Sequence, residues 1–137
     1  MKKIKYCLYP AGVILAFFLA IEMLIFAFAP VDTSASEKVP MGNFKLTFYC
    51  PCRKCSGSYG YSTSSGARAT EGRTIAVDPK VIPKGSRVYI EGYGEFVAED
   101  TGGKWVKGNH IDIFLEDHDR CIDKAHGVKH AEVYILK

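Results

Sequence analysis

Six short runs restrict the fold of this chain more than any other feature: FKLTFY (44–49), TIAV (74–77), RVYIE (87–91), EFVAE (95–99), IDIFL (111–115) and AEVYIL (131–136). They are rich in β-branched and aromatic residues, and most alternate apolar with polar side chains, the period of a strand with one buried face. Glycine and proline punctuate them: GYG at 92–94 is short enough for a tight hairpin, and DPKVIPKG at 78–85 supplies two proline turns. A helical pattern is confined to EDHDRCIDKAH (116–126), with acids in its first turn, Cys121, Ile122 and Ala125 on one face, and Gly127 as a stop. An open sheet of six strands leaves two edges unpaired, and closure removes them. The expected class is all-β, a small six-stranded closed barrel with one short helix.

The first thirty residues have a different composition. Lys2, Lys3 and Lys5 precede an apolar run over 11–29, broken only by Glu22, which is long enough to cross a bilayer as one helix. The run exceeds the roughly 7–15 apolar residues of a signal peptide, which favours a retained anchor over cleavage in the small-residue stretch DTSAS (32–36). Glu22 weakens the span by about 2.5–3.5 kcal/mol on insertion scales. In either case the lysines stay in the cytoplasm and the remainder is exported. The expected organisation is a signal anchor or signal peptide over 1–32, a linker over 33–43 and the barrel domain over 44–137.

Charge excludes one class of partner. Of the 18 basic and 15 acidic residues, three and two lie before residue 36, leaving 15 against 13 and a net +2 on the exported part. So small an excess gives no electrostatic footprint for nucleic acid.

Three single aspartates remain to be explained. Asp78 precedes Pro79, and its side chain suits the capping of backbone N–H groups in a turn. Asp100 ends a strand and opens DTGG, which turn chemistry alone explains, although Gly102 and Gly103 also allow close approach of the backbone to a ligand. Asp112 lies within a strand between Ile111 and Ile113, so it shares the opposite face with His110 and Phe114. A carboxylate on the wall of a groove there has a raised pKa, as a general acid requires.

The stretch AVDPKVIPKGSRVYIEGYGEFVAEDTGGKWVKGNHIDIF resembles the three-aspartate (3D) domain, whose hallmark is one Asp in each of A-V-D-P, A-x-D-T-G-G and K-G-x-x-I-D. The resemblance extends over most of 44–136. It implies a double-psi β-barrel of six strands, action on peptidoglycan in an exported cell-wall protein of a Gram-positive bacterium, and a relationship to membrane-bound lytic transglycosylase A. In that relationship Asp112 is the catalytic residue, Asp100 its supporting partner, and Asp78 shapes the site. The loop DTGGKWVKGNHID departs from the usual family pattern by one extra residue and by Trp105, the only tryptophan, which either stacks on a sugar or caps the barrel mouth.

The implied activity is lytic transglycosylation: one protonated Asp donates to the oxygen between N-acetylmuramic acid and N-acetylglucosamine, then accepts the proton of the muramic C6 hydroxyl as a 1,6-anhydro ring closes. No cofactor is needed and none is expected. Gly102, Gly103, Trp105, Asn109, Ser65 and Gly66 are the expected substrate contacts. The alternatives are an inverting hydrolase using Asp100 with Asp112, and a noncatalytic wall-binding module. Expected partners are glycan strands, the membrane through the N-terminal helix, and a wall-remodelling or secretion assembly.

Four cysteines follow the leader: Cys50, Cys52, Cys55 and Cys121. Export and an even count put two disulfides first, in any of three pairings. Free thiols and a four-thiolate zinc site stay open behind them, although the spacing is not that of paired zinc knuckles; no metal is expected. The four histidines, His110, His118, His126 and His130, are scattered over strand, helix and loop and read as solvated or hydrogen-bonded residues, although His110 lies on the Asp112 face, within reach of substrate.

Overall fold

A computed structural model describes residues 36–123 and 127–137. The expected membrane-targeting segment lies outside the described residues, among which no helix is long and apolar enough to cross a membrane.

The chain runs β1 (Lys38–Tyr49), α1 (Arg53–Ser56), β2 (Thr74–Val77), β3 (Arg87–Ile90), β4 (Gly94–Thr101), β5 (His110–Phe114), α2 (His118–Ile122) and β6 (Lys129–Leu136). The six strands close into a barrel in the order β1-β5-β2-β4-β3-β6. Two of its seams are parallel, β1 with β5 and β2 with β4; the other pairings are antiparallel. The parallel seams join strands distant in sequence, so long connections leave the ends of β1 and β5, and these carry the two helices.

Alternation fills the interior as the sequence predicts. Phe44 and Leu46 of β1, Ile75 and Val77 of β2, Val88 and Ile90 of β3, Ile111 and Ile113 of β5 and Val133 of β6 meet in one core, with Ile82 reaching in from a proline turn. Each such side chain, fully withdrawn from water, contributes about 1.5–3 kcal/mol. The neighbours at i±1 therefore point outward, and that outer face carries Thr47, Ala76 and Asp112.

The expected linker is half strand. β1 begins at Lys38, and residues 38–46 pair with β6 through a bulge between Pro40 and Gly42, where Gly42 takes φ 90. Proline and glycine read as linker because each disfavours a regular ladder; the bulge accommodates both. Among the described residues of the helix expected over 116–126, His118–Ile122 are helical, with Asp117 accepting the N–H of Asp119 as cap, and the expected buried face fails at Ile122, which is exposed; 124–126 lie outside the described residues. A second short helix, α1, had no periodic signal in the sequence.

Candidate functional site

One transverse row of residues organises the outer face. Thr47 lies opposite Asp112 across the β1/β5 seam, Asp112 opposite Ala76 across β5/β2, and Ala76 opposite Asp100 across β2/β4. Ala76, buried and with the smallest side chain of the four, forms the floor between the two carboxylates. The groove above it, about 580 Å³, is lined by Asp100, Asp112, Tyr49, Gly102, Gly103 and Trp105 with residues of the 55–64 connection.

Asp100 reaches this face through a break in register. Phe96 and Ala98 point into the core, and strict alternation would send Asp100 the same way. Ile75 pairs with Ala98 but Ala76 pairs with Asp100, so Glu99 is an extra residue and Asp100 is turned outward. The nearly buried Glu99 accepts from Nε and an Nη of Arg73 at 2.9 and 2.7 Å and from the Thr74 hydroxyl at 2.8 Å, which satisfies the displaced carboxylate.

The two aspartates differ in their donors. Asp100 has three donors: Oδ1 accepts the N–H groups of Ser64 (2.9 Å) and Thr101 (2.8 Å), and Oδ2 accepts the Tyr49 hydroxyl at 3.1 Å. Tyr49, raised in pKa by its burial and then by the charge of Asp100, stays a donor throughout the accessible pH range. Asp112 has one side-chain donor, the Thr47 hydroxyl, 2.7 Å from Oδ1. Burial raises its pKa to about 6, the Thr47 bond opposes that shift, and the like charge of Asp100 adds to it.

Behind Thr47 stands His110, with Nε2 2.9 Å from the Thr47 hydroxyl oxygen and Nδ1 3.2 Å from the Trp105 carbonyl. Because a carbonyl only accepts, that contact places a proton on Nδ1. Burial and Lys45 lower the His110 pKa, so the ring is neutral at pH 7 and Nε2 is an acceptor. The single proton of Thr47 then serves either Asp112 or His110. It goes to Asp112 when that residue is ionised; when Asp112 is protonated, Thr47 is free to turn toward His110 and accept from the acid.

The loop after β4 forms the rim. A Cβ on Gly102 would meet Val106 Cγ2 at 2.0 Å, so only glycine fits, and Val106, 2% exposed, plugs the loop. Trp105 is 78% exposed and lies on the groove lip, so Val106 and not Trp105 caps this part of the barrel. Asp78 ties down the far end of the loop: one oxygen accepts from Lys80 N–H at 3.1 Å and the other from Gly108 N–H at 3.0 Å, bonds that hold its pKa below the ordinary carboxylate value.

Thus five expected residues converge on the groove: Asp100, Asp112, Gly102, Gly103 and Trp105. Ser65, Gly66, Asn109 and Asp78 do not line it. Ser65 N–H is spent on the Glu99 carbonyl, and the Asn109 amide donates to the Asn43 carbonyl at 3.4 Å. Ser64, one position earlier, supplies the groove contact. Thr47 and Tyr49 escaped sequence reasoning although FKLTFY places both on the outer face by alternation, two residues apart.

The described residues contain no disulfide: Cys50, Cys52, Cys55 and Cys121 are all free thiols. Cys50, Cys52 and Cys55 instead converge on His118, and Cys121 turns its sulfur to the Asp117 carbonyl at 3.3 Å.

Residues 73–137 match the family model described as the 3D domain. This chain carries a 3D domain. The match takes in all three aspartates and five of the six strands; β1 and the cysteine-bearing connection precede it. Over 64 residues the chain is 52% identical to cell wall-binding protein YocH of Bacillus subtilis, a match spanning 47% of this chain and 21% of that relative. Among solved structures, lytic transglycosylase MltA of Escherichia coli aligns with 56% of this chain and 27% of its own at 22% identity and a TM-score of 0.47. Lytic transglycosylase LtgG of Burkholderia pseudomallei aligns with 54% and 25% at 26% identity and a TM-score of 0.45.

Proposed function

We propose that this 3D domain is a peptidoglycan lytic transglycosylase of double-psi barrel type, exported and held at the outer face of the membrane, in which Asp112 is the sole general acid and base. The observation that carries the reading is the unequal pair: Asp112, with its pKa at about 6 in a groove, beside Asp100, whose oxygens are taken up by three donors. A pKa raised to about 6 keeps part of Asp112 protonated near neutral pH, as an acid requires, and its conjugate base forms in the same step.

In the proposed reaction Asp112 gives its proton to the glycosidic oxygen while the C1–O bond of the muramic residue breaks and the N-acetylglucosamine end leaves. Positive charge develops at C1, and Asp100, fixed across Ala76, offsets it. The Asp112 carboxylate then takes the proton of the muramic C6 hydroxyl as O6 bonds to C1, which returns the acid. Thr47 follows the change, donating to Asp112 when it is ionised and to His110 when it is not. Trp105, exposed at the lip, offers a flat apolar face to a sugar ring.

An inverting hydrolase needs a free carboxylate as base to activate water, and the engagement of Asp100 speaks against it. A wall-binding module without catalysis is the second reading, favoured by the name of the B. subtilis relative. Purified full-length chain incubated with peptidoglycan, with released muropeptides analysed by mass spectrometry, separates the three. Anhydro ends, one water lighter than hydrolysis products, are expected; reducing ends favour the hydrolase, and binding without release the module.

A further inference from the structure

We infer that Cys50, Cys52, Cys55 and His118 form a structural zinc site that clips together the two chain segments leaving one end of the barrel. The sulfurs lie 3.5, 3.4 and 3.5 Å from the same atom, His118 Nδ1, and the four candidate ligand atoms all fall within 4.8 Å of one another. Hydrogen bonding does not account for this. An imidazole nitrogen has either one proton or one lone pair, so Nδ1 satisfies one thiol, not three. A central ion does account for it: zinc bonds of about 2.3 Å to sulfur and about 2.0–2.1 Å to nitrogen at tetrahedral angles put each sulfur about 3.5 Å from the nitrogen.

The sequence pattern alone points to Cys121 as the fourth ligand. The fold substitutes His118, because α2 is a single turn that aims His118 at the cluster; Cys121 lies beside Cys50 but turns its sulfur to the Asp117 carbonyl and stays outside the four mutually close ligand atoms. The cysteine turn is itself preformed. The Cys52 carbonyl accepts from the N–H groups of Cys55 (3.2 Å) and Ser56 (2.9 Å), and the Ser56 hydroxyl donates to the Cys50 carbonyl at 2.6 Å. Four protein ligands close the coordination sphere, the mark of a structural rather than a catalytic ion.

Position gives the site its consequence. Cys50 directly follows β1 and His118 follows β5, neighbours in a parallel seam with no short connection between them. Cys55 and Ser56 line the groove, and the same connection runs on to Ser64, whose N–H holds Asp100. Zinc would thus fix one wall of the groove from outside the three-aspartate constellation. Binding of the ion is independent of whether the groove cleaves glycan.

The test is a titration of full-length chain, purified in detergent under reducing conditions and stripped of metal, with cobalt(II) and then zinc(II). One equivalent of cobalt should give thiolate-to-metal charge-transfer and tetrahedral d–d bands, zinc should displace it, and the thermal transition should rise on binding. Cys121→Ser should bind as the parent does. Cys55→Ser and His118→Ala should lose at least the roughly 10–100-fold in affinity that even an outer-shell change costs, and His118→Cys should bind with a stronger thiolate band. Absence of the thiolate bands in reduced chain that circular dichroism shows to be folded, unaltered affinity in both Cys55→Ser and His118→Ala, or loss of binding in Cys121→Ser would overturn the assignment. So would native chain whose peptides show Cys50, Cys52 or Cys55 in disulfides with no zinc present.

Discussion

Thr47 faces Asp112 across the parallel β1/β5 seam and donates to its Oδ1 at 2.7 Å, the one side-chain bond among the described residues that stabilises the ionised form of that carboxylate. Removing the hydroxyl in Thr47→Val keeps the β-branched shape and the strand. The Asp112 pKa should rise above its present value of about 6. The alkaline limb of the rate profile, where the acid form is lost, should therefore move to higher pH. A limb displaced to lower pH would show that Thr47 does not act through Asp112.

Asp112→Asn should separate chemistry from stability. With no titrating proton, turnover should fall by roughly the 10²–10⁴-fold that general acid-base catalysis supplies, or more since both roles rest on one residue. Stability should move in the opposite direction. The folded-state pKa of Asp112 lies above the ordinary carboxylate value, so the favourable protonated state is fully present below about pH 4 and is lost as pH rises through about 6. Above that, the ionised group costs on the order of 3 kcal/mol. Thermal melts should show Asp112→Asn more stable than the parent at pH 8, with the gap closing toward pH 4. Near-normal turnover in the folded variant would overturn the catalytic role, and a variant less stable than the parent at pH 8 would overturn the stability claim.

Asp78 should behave as a tie, not as a catalytic group. Its pKa is held low by the Gly108 and Lys80 N–H groups, so its contribution is present above the ordinary carboxylate value and fades as pH falls through the lowered one. Asp78→Asn is expected to melt earlier than the parent at neutral pH, with the difference narrowing in acid. Glycan cleavage at low temperature should persist. Loss of turnover in a variant with an unchanged melting curve would place Asp78 in the chemistry instead.

At the loop, Gly102→Ala puts a methyl group 2.0 Å from Val106 Cγ2, where 2% exposure leaves little room to retreat. Overpacking of this kind costs about 1–3 kcal/mol. The double variant Gly102→Ala with Val106→Ala should be more stable than the sum of the singles by about 0.5 kcal/mol or more, the scale of coupling between touching residues. Denaturant melts of the four proteins decide it, and strict additivity would mean that the loop relaxes elsewhere.

The core was legible because period-two alternation marks one face of each strand, and five strands begin within two residues of where that pattern puts them. What alternation misses is any place where the backbone breaks it. The bulges at Pro40/Gly42 and at Glu99 are invisible to a period, and the second decides which way Asp100 points. The row Thr47, Asp112, Ala76, Asp100 depends on strand order and register, neither of which a single sequence contains. The cysteine cluster was half legible: C-x-C-x-x-C stood out and the helix carrying His118 was expected, but a helical pattern does not say which of its side chains meets a turn distant in sequence.

Asp100 offers the sharpest decision between mechanisms. If it were the base of an inverting hydrolase, Asp100→Asn would abolish turnover as completely as Asp112→Asn. Its three donors argue otherwise, since a carboxylate bonded to Ser64 N–H, Thr101 N–H and the Tyr49 hydroxyl is poorly placed to take a proton from water. The amide in Asp100→Asn retains one oxygen to accept from these groups and removes the negative charge. Asp112 then loses a like-charged neighbour, its pKa falls, and the alkaline limb of the rate profile should shift to lower pH, opposite to Thr47→Val. Turnover should drop through lost charge stabilisation, by an amount comparable to the roughly 10²–10³-fold of a single electrostatic contact in other sites, while anhydro product stays measurable. Anhydro ends from Asp100→Asn with a limb moved downward are the expected result; complete loss of product, with reducing ends from the parent, would establish the hydrolytic mechanism in its place.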